Sequence, residues 1–251
     1  MARNFRGLIE EQWSLGKFVC VGLDSDFSKI PKAAYVMRPN EVEDVLRTMV
    51  TFNTAIIELV ADAASSFKLN LAFYMAMGLE GLTALKATVK ICHQVVPSIP
   101  VILDAKFADI GNTNNGYVHY AFTHCGADAI TLNPYLGEEA LRPFLDMKDK
   151  GIFILCRTSN SGSDEFQGLT VVRPGISSHQ SRQMLPLYQY VAERVATKWN
   201  ANGNCGLVVG ATYPKELREV RSIVGDMPLL IPGIGAQGGD LEKTVEFGQD
   251  S

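Results

Sequence analysis

The segment Asp104-Ala105-Lys106-Phe107-Ala108-Asp109-Ile110 places two carboxylates and an ammonium close together, directly after the apolar run Pro100-Val101-Ile102-Leu103. The apolar run reads as a buried strand that ends where the charges begin. Side chains two apart on a strand share a face, so Asp104 and Lys106 are expected to point the same way. Asp109 falls just past the strand end, on the loop that follows. Charges at the mouth of a buried strand cost desolvation energy and need compensation. Two chemistries meet that need. One is a structural ion pair, and the other is a lysine acid held among carboxylates, ready to deliver a proton to carbon.

Such a group is useful only if neighbouring strands bring partners to it. Short β-rich runs recur at Phe18–Asp24, Phe67–Phe73, Val101–Lys106, Ala129–Asn133, Ile152–Cys156, Leu207–Gly210 and Leu229–Ile231. Amphipathic segments such as Glu41–Ala64, Gly81–Val96, Asn115–Cys125 and Leu185–Trp199 lie between them. Alternating strands and helices imply βαβ units and a parallel sheet. Asp24, Lys68, Asp104, Lys106, Asn133, Thr158 and Ser159 lie on these strands or at their C-terminal ends, where a barrel collects its chemistry. The expected fold is a (β/α)8 TIM barrel in the α/β class, with only seven strands evident. Ser251 falls inside the helix after the seventh strand, so the last βα element is expected to be missing. No Pro/Gly/Ser linker divides the chain, which reads as a single domain over residues 1–251.

With 251 residues, 47% hydrophobic and 20% charged, the chain has the size and composition of one globular barrel. A net charge of −4 gives no global attraction to nucleic acid or an anionic membrane, so an anionic ligand has to be captured locally. The cysteines at 20, 92, 125, 156 and 205 are scattered and form no C-x-x-C pair, which suits reduced thiols in a cytoplasmic protein. The N-terminus carries no apolar signal region, and no run reaches membrane-spanning length.

The segment Pro232-Gly-Ile-Gly-Ala-Gln-Gly-Gly-Asp240 follows a strand and precedes a helix, and it formally contains G-x-G-x-x-G at Gly233, Gly235 and Gly238. On a late βα turn this reads as a phosphate loop, with a plain tight turn or a dinucleotide site as the other readings. Thr158-Ser-Asn-Ser-Gly-Ser163 opens a long polar segment through Arg173-Pro174-Gly175, which is expected to form a lid or else mobile surface. His119 and His124 are five apart and share no helical face, and no dense oxygen-ligand cluster stands out, so no metal site is expected. Trp13 and Trp199 read as packing residues.

Taken together, these blocks resemble the orotidine 5′-monophosphate decarboxylase family. Asp104-Ala-Lys-Phe-Ala-Asp-Ile-Gly-Asn-Thr113 matches its D-x-K-x-x-D signature. Gly22-Leu-Asp24, Lys68–Tyr74, Thr158–Gly162 and Pro232–Asp240 follow in family order over nearly the whole chain, in the manner of the bacterial long-loop branch. The resemblance implies cofactor-independent conversion of orotidine monophosphate to uridine monophosphate and CO2. Lys106 would protonate C6, with Asp104 near the substrate carboxylate and Lys68 in the same charged network. Asp24 would bind a ribose hydroxyl, and Ser159 would read the pyrimidine. Gln237, with the backbone near Gly235 and Gly238, would bridge base and phosphate. The resemblance also implies a homodimer with shared sites, in which Asp109, Ile110 and Thr113 reach into the partner's site and Asp109 joins the catalytic set by steadying Lys106 and the ribose. One departure stands out: the family's phosphate arginine at the end of strand eight has no counterpart before Ser251. The competing readings are a Mg2+-dependent keto-gulonate-phosphate decarboxylase, a Schiff-base aldolase using Lys106, and a nucleotide-binding pseudoenzyme.

Overall fold

The computed structural model describes residues 3–38, 43–173, 184–235 and 238–249. All seven expected strands are present: β1 (Val19–Gly22), β2 (Ala64–Asn70), β3 (Val101–Phe107), β4 (Ala129–Leu132), β5 (Gly151–Arg157), β8 (Cys205–Val209) and β9 (Leu229–Leu230). They form one seven-stranded sheet in the order β1-β2-β3-β4-β5-β8-β9, the strand succession of a (β/α) barrel. Two further strands, β6 (Thr170–Val172) and β7 (Met184–Pro186), pair antiparallel in a separate ribbon. None of the described helices is long and apolar enough to cross a membrane.

The chain divides into two compact units interleaved in sequence. The first holds Met1–Phe107, Gly111–Thr131 and Asp149–Gly151, and the second holds Ala108–Ile110, Leu132–Lys148 and Ile152–Ser251.

In the first unit, β1 pairs with β2 and β2 with β3, all parallel, with Asn70 opposite Asp104. Helices α1 (Phe5–Ser14), α2 (Val45–Val60), α3 (Leu71–Met75), α4 (Gly78–Val95) and α5 (Gly111–Val118) belong to this unit. Asp44 caps α2 by accepting from the Arg47 N–H, and the helix buries Met49, Asn53 and Ile57 along one stripe. Phe67, Leu69, Val101 and Leu103 are fully inside, each contributing about 2 kcal/mol of burial.

The second strand departs from expectation at both ends. It starts at Ala64, three residues before Phe67, and includes Ser65 and Ser66, small polar residues that are buried although they do not belong to an apolar run. It stops at Asn70, whose side chain accepts from the Ala72 N–H and starts α3 where Leu71–Phe73 reads as strand. The expected helix over Asn115–Cys125 is likewise α5 followed by a π-helical stretch, His119–His124.

In the second unit, β8 lies parallel between β5 and β9, with Arg157 opposite Val209. Its helices are α6 (Gly137–Leu145), α7 (Leu187–Arg194), α8 (Pro214–Val224) and α9 (Leu241–Gly248). The expected helix over Leu185–Trp199 starts only after Pro186, because Leu185 pairs with Val171 in the ribbon. Arg221 on α8 donates to the carbonyls of Gly225, Met227 and Gly248, and Arg218 lies over the Phe247 ring at 5.3 Å. Both guanidiniums therefore serve the packing of α8 on α9. All five cysteines are free, and burial pushes the Cys92, Cys156 and Cys205 thiols up to about 12.

The start of β3 is held by Asp128, a carboxylate with a side chain only 1% exposed. It accepts from Arg3 Nε at 2.8 Å, the Val101 N–H at 2.9 Å and His93 Nε2 at 3.1 Å. Burial pushes the Asp128 pKa up, but His93 and Arg3 outweigh it and hold the carboxyl at about 2, below the ordinary 3.8. A depressed pKa stabilises the fold above the ordinary value, and that contribution is lost as pH falls from 3.8 toward 2. Its scale is about 2 kcal/mol. Asp128→Asn is therefore expected to lower Tm by several degrees at neutral pH and to flatten the acid limb of stability across that interval. Thermal melts over a pH series check this, and an acid limb as steep as wild type would show that other carboxylates dominate.

Candidate active site

The expected residues of the first unit converge at the C-terminal ends of consecutive strands. Asp24 follows β1, Lys68 sits on β2, and Asp104 and Lys106 sit on β3. Lys68 Nζ lies 3.0 Å from Asp24 Oδ2 and 3.5 Å from Asp104 Oδ2, and Lys106 Nζ lies 2.6 Å from Asp104 Oδ1. The result is a line of alternating charge: Asp24, Lys68, Asp104, Lys106. Side-chain exposure is 10% at Asp104 and 14% at Lys68 but 46% at Lys106, so the last ammonium is the one open to an incoming molecule.

Burial works against the Lys68 ammonium, yet the Asp24 and Asp104 carboxylates outweigh it and hold its pKa above the ordinary value. Burial likewise raises Asp104, but Lys68, Lys106 and Thr131 together carry its pKa below the ordinary value. Both groups are therefore charged at neutral pH.

Asp104 and Lys106 meet as the strand spacing predicts, but by an unexpected backbone route. Lys106 has a φ of 52°, the left-handed region that L residues other than glycine rarely adopt. Its N–H donates to Thr131 Oγ1 on β4 at 3.0 Å, and the Thr131 hydroxyl donates to Asp104 Oδ1 at 2.7 Å. Sequence reasoning passes over Thr131, although a hydroxyl inside the apolar run Ala129-Ile-Thr-Leu132 needs a buried partner.

Asp24 has its own support. Its Oδ1 accepts from the Asn70 N–H at 2.9 Å. The flanking Leu23 carbonyl accepts from Tyr74 Oη at 2.7 Å, and Ser25 Oγ donates to Asn53 Oδ1 at 2.6 Å. Asn53 Nδ2 in turn donates to Tyr74 Oη at 3.0 Å and Thr88 Oγ1 at 3.3 Å. Burial raises the Tyr74 phenol well above its ordinary value, so it remains a donor. Asn53 inside the apolar stripe of α2 is the sequence signal for this network.

The residues after β3 are placed as follows. Asp109 Oδ1 accepts from the Ile110 N–H at 2.7 Å, Ile110 is 63% exposed, and Thr113 is exposed on α5.

In the second unit, Ser159 is half-buried on the loop after β5, and its carbonyl accepts from Thr212 Oγ1 at 3.3 Å. The long polar segment expected as a lid or mobile surface has local structure in its described part. Ser161–Glu165 form a short 3-10 turn, and Thr170–Val172 enter the ribbon. Arg157, another residue that sequence reasoning misses, is 2% exposed and anchors that turn. Its guanidinium donates to Ser163 Oγ at 2.8 Å and Asp164 Oδ1 at 2.7 Å and stacks on the Tyr213 ring at 3.8 Å. A charged residue ending the run Ile152–Cys156 is the signal for it. In the glycine loop after β9, Gly235 and Gly238 have φ of 92° and 78°, and the Gly238 N–H donates to the Gly235 carbonyl at 2.8 Å. Asp240 caps α9 by accepting from the Lys243 N–H at 3.0 Å. Gln237 lies outside the described residues.

A succession of parallel strands with a lysine–carboxylate line at the ends of β1, β2 and β3 defines a (β/α) barrel of the kind that works at its C-terminal face. Within that class, the chain belongs to the orotidine 5′-phosphate decarboxylase / HUMPS family, which it matches over residues 17–246. It is 46% identical over 231 residues to the orotidine 5′-phosphate decarboxylase of Janthinobacterium sp. (strain Marseille), covering 92% of this chain and 78% of that protein. The corresponding protein of Thermomicrobium roseum is 47% identical over 244 residues, covering 96% and 79%. The solved structure of Leishmania donovani OMP decarboxylase is similar with a TM-score of 0.79 at 36% identity, covering 99% of this chain and 85% of that one.

Gly210 tests the placement of Ser159 directly. A Cβ at residue 210 would lie 2.8 Å from the Ser159 Cα, Cβ and N, and the Gly210 N–H is tied to the Arg157 carbonyl at 2.7 Å. Gly210→Ala is expected to displace the Ser159 main chain and to cost about 1–3 kcal/mol of stability. Amide spectra of Thr158–Asn160 together with a thermal melt check this. Unchanged signals in all three would show that the loop has room to spare.

Proposed function

We propose that this chain decarboxylates orotidine 5′-monophosphate to uridine 5′-monophosphate and CO2 in pyrimidine synthesis. The observation that carries the reading is the Asp24–Lys68–Asp104–Lys106 line, open to solvent at Lys106, in a chain of this family. The named relatives at 46% and 47% identity both bear the decarboxylase name, which favours this reading over the keto-gulonate-phosphate one.

The chemistry follows from the charges. Breaking the bond between C6 and its carboxylate releases CO2 and leaves the electron pair in an sp2 orbital on C6, where no adjacent carbonyl spreads it. The Lys106 ammonium stabilises that pair electrostatically and then transfers a proton to C6. The neutral amine left behind recovers its proton from solvent, to which the side chain is 46% exposed. Asp104 stays ionised beside Lys68 and Lys106, so it presents negative charge to the substrate carboxylate while keeping the ammonium aimed. Lys68 offsets that charge on the enzyme side and steadies Asp24, which takes a ribose hydroxyl. Ser159 reads the pyrimidine, and Gln237 with the Gly235 and Gly238 backbone takes base and phosphate. Binding energy from the phosphate and ribose contributes much of the barrier reduction.

The remaining features of the proposal are a single working domain over residues 1–251, a cytoplasmic location suited to five free thiols, and a homodimer. In that dimer Asp109, Ile110 and Thr113 enter the partner's site.

Ultraviolet absorbance with orotidine monophosphate tests the reading, with chelator present. Wild type is expected to turn over, and Lys106→Ala to lose several orders of magnitude in kcat, because charge and proton go together. Near-full activity in that variant would overturn the mechanism.

A further inference from the structure

Among the described residues, Lys106 is the one non-glycine residue with a positive φ. A lone left-handed residue of this kind costs about 1–2 kcal/mol and persists only where its surroundings hold it. The residue holding it here is Thr131, 1% exposed on β4. A hydroxyl offers one donor and two acceptor lone pairs. Thr131 Oγ1 accepts from the Lys106 N–H at 3.0 Å and donates to Asp104 Oδ1 at 2.7 Å. That same Asp104 oxygen receives the Lys106 ammonium at 2.6 Å. The bonds close a ring from the Lys106 main chain, through Thr131 and Asp104, back to the Lys106 head group.

We infer that Thr131 is a positioning residue for the proton donor, fixing both ends of Lys106 through one hydroxyl. The inference rests on the decarboxylase reading, in which Lys106 and Asp104 act on the substrate. Thr131 itself is 1% exposed and acts through Lys106 and Asp104. Its hydroxyl keeps residue 106 in the one backbone conformation that turns the side chain onto Asp104. It also leaves Asp104 Oδ2 toward Lys68, at 3.5 Å. Valine at this position would preserve side-chain shape and strand preference but supply neither bond. Serine would supply both.

The test uses the full chain as wild type, Thr131→Val and Thr131→Ser. It measures kcat and KM for orotidine monophosphate, the carboxyl titration of Asp104 by carbon NMR, and Tm. In Thr131→Val, kcat is expected to fall roughly 10- to 100-fold, the scale of one charge-assisted hydrogen bond lost beside a reacting group, with KM little changed. Asp104 is expected to titrate at higher pH in that variant, because it still faces Lys68 and Lys106 but has lost a donor. Thr131→Ser is expected to restore kcat and titration toward wild type. Full kcat in the valine variant, or equal losses in valine and serine, would overturn the inference. If wild type itself does not turn over, the decarboxylase reading fails. The Lys106 amide shift and Asp104 titration then decide the role of Thr131: changes in valine but not serine support it, and unchanged signals sink it.

Discussion

The first unit is organised around a buried carboxylate that stays charged. Asp104 has a side chain 10% exposed, and burial alone would drive it toward the neutral acid. It remains an anion because Lys68 stands at 3.5 Å, Lys106 at 2.6 Å and the Thr131 hydroxyl at 2.7 Å. Those partners come from β2, β3 and β4, so the charge can exist only if the strands are laid side by side in their observed register. Removing any one partner leaves a buried group under-compensated, and that dependence ties the chemistry of the site to the pairing of the sheet.

The same strand is fastened at both ends by side chains from the β4 region. At its start, the Val101 N–H is bound by Asp128, just before β4. Near its end, the Lys106 N–H is bound by Thr131, inside β4. Parallel pairing by backbone bonds alone permits slippage, and a one-residue slip would carry Asp104 and Lys106 to the opposite face. Side-chain locks at both ends oppose it. Behind Asp24, the Ser25–Asn53–Tyr74–Thr88 network plays a comparable part, joining the β1 loop to α2, α3 and α4 with satisfied buried polar groups. The second unit relies on a buried cation instead: Arg157 holds the turn after Ser159 through Ser163, Asp164 and the face of Tyr213.

Much of this organisation is legible in the order of residues alone. The seven strands, the parallel succession and the charges at Asp24, Asp104 and Lys106 follow from apolar runs that end in charge, and Lys68 lies in a run marked by alternation. Pattern fails where small polar residues are buried, as at Ser65 and Ser66, so β2 begins three residues earlier than its apolar run. It fails again where a cap changes the structure, as at Asn70, and where an antiparallel ribbon takes Leu185 out of a helix. Those departures share one cause: burial and pairing are settled by neighbours, and tertiary context overrides local preference.

The supporting residues are hidden in the sequence for the same reason. Thr131, Asn53 and Arg157 stand out locally only as polar residues in apolar runs, and their roles lie in bonds to distant residues, as with Thr131 and Asp104 at 27 positions apart. The sequence by itself determined the strand succession and the charged strand ends, because an apolar run and the charge that closes it are local properties of the chain. Only the tertiary structure decided the left-handed turn at Lys106, the hydroxyl that holds it and the ionisation of Asp104. Backbone strain and buried charge are tolerated only when a particular neighbour compensates them, and the neighbour's place is set by the fold.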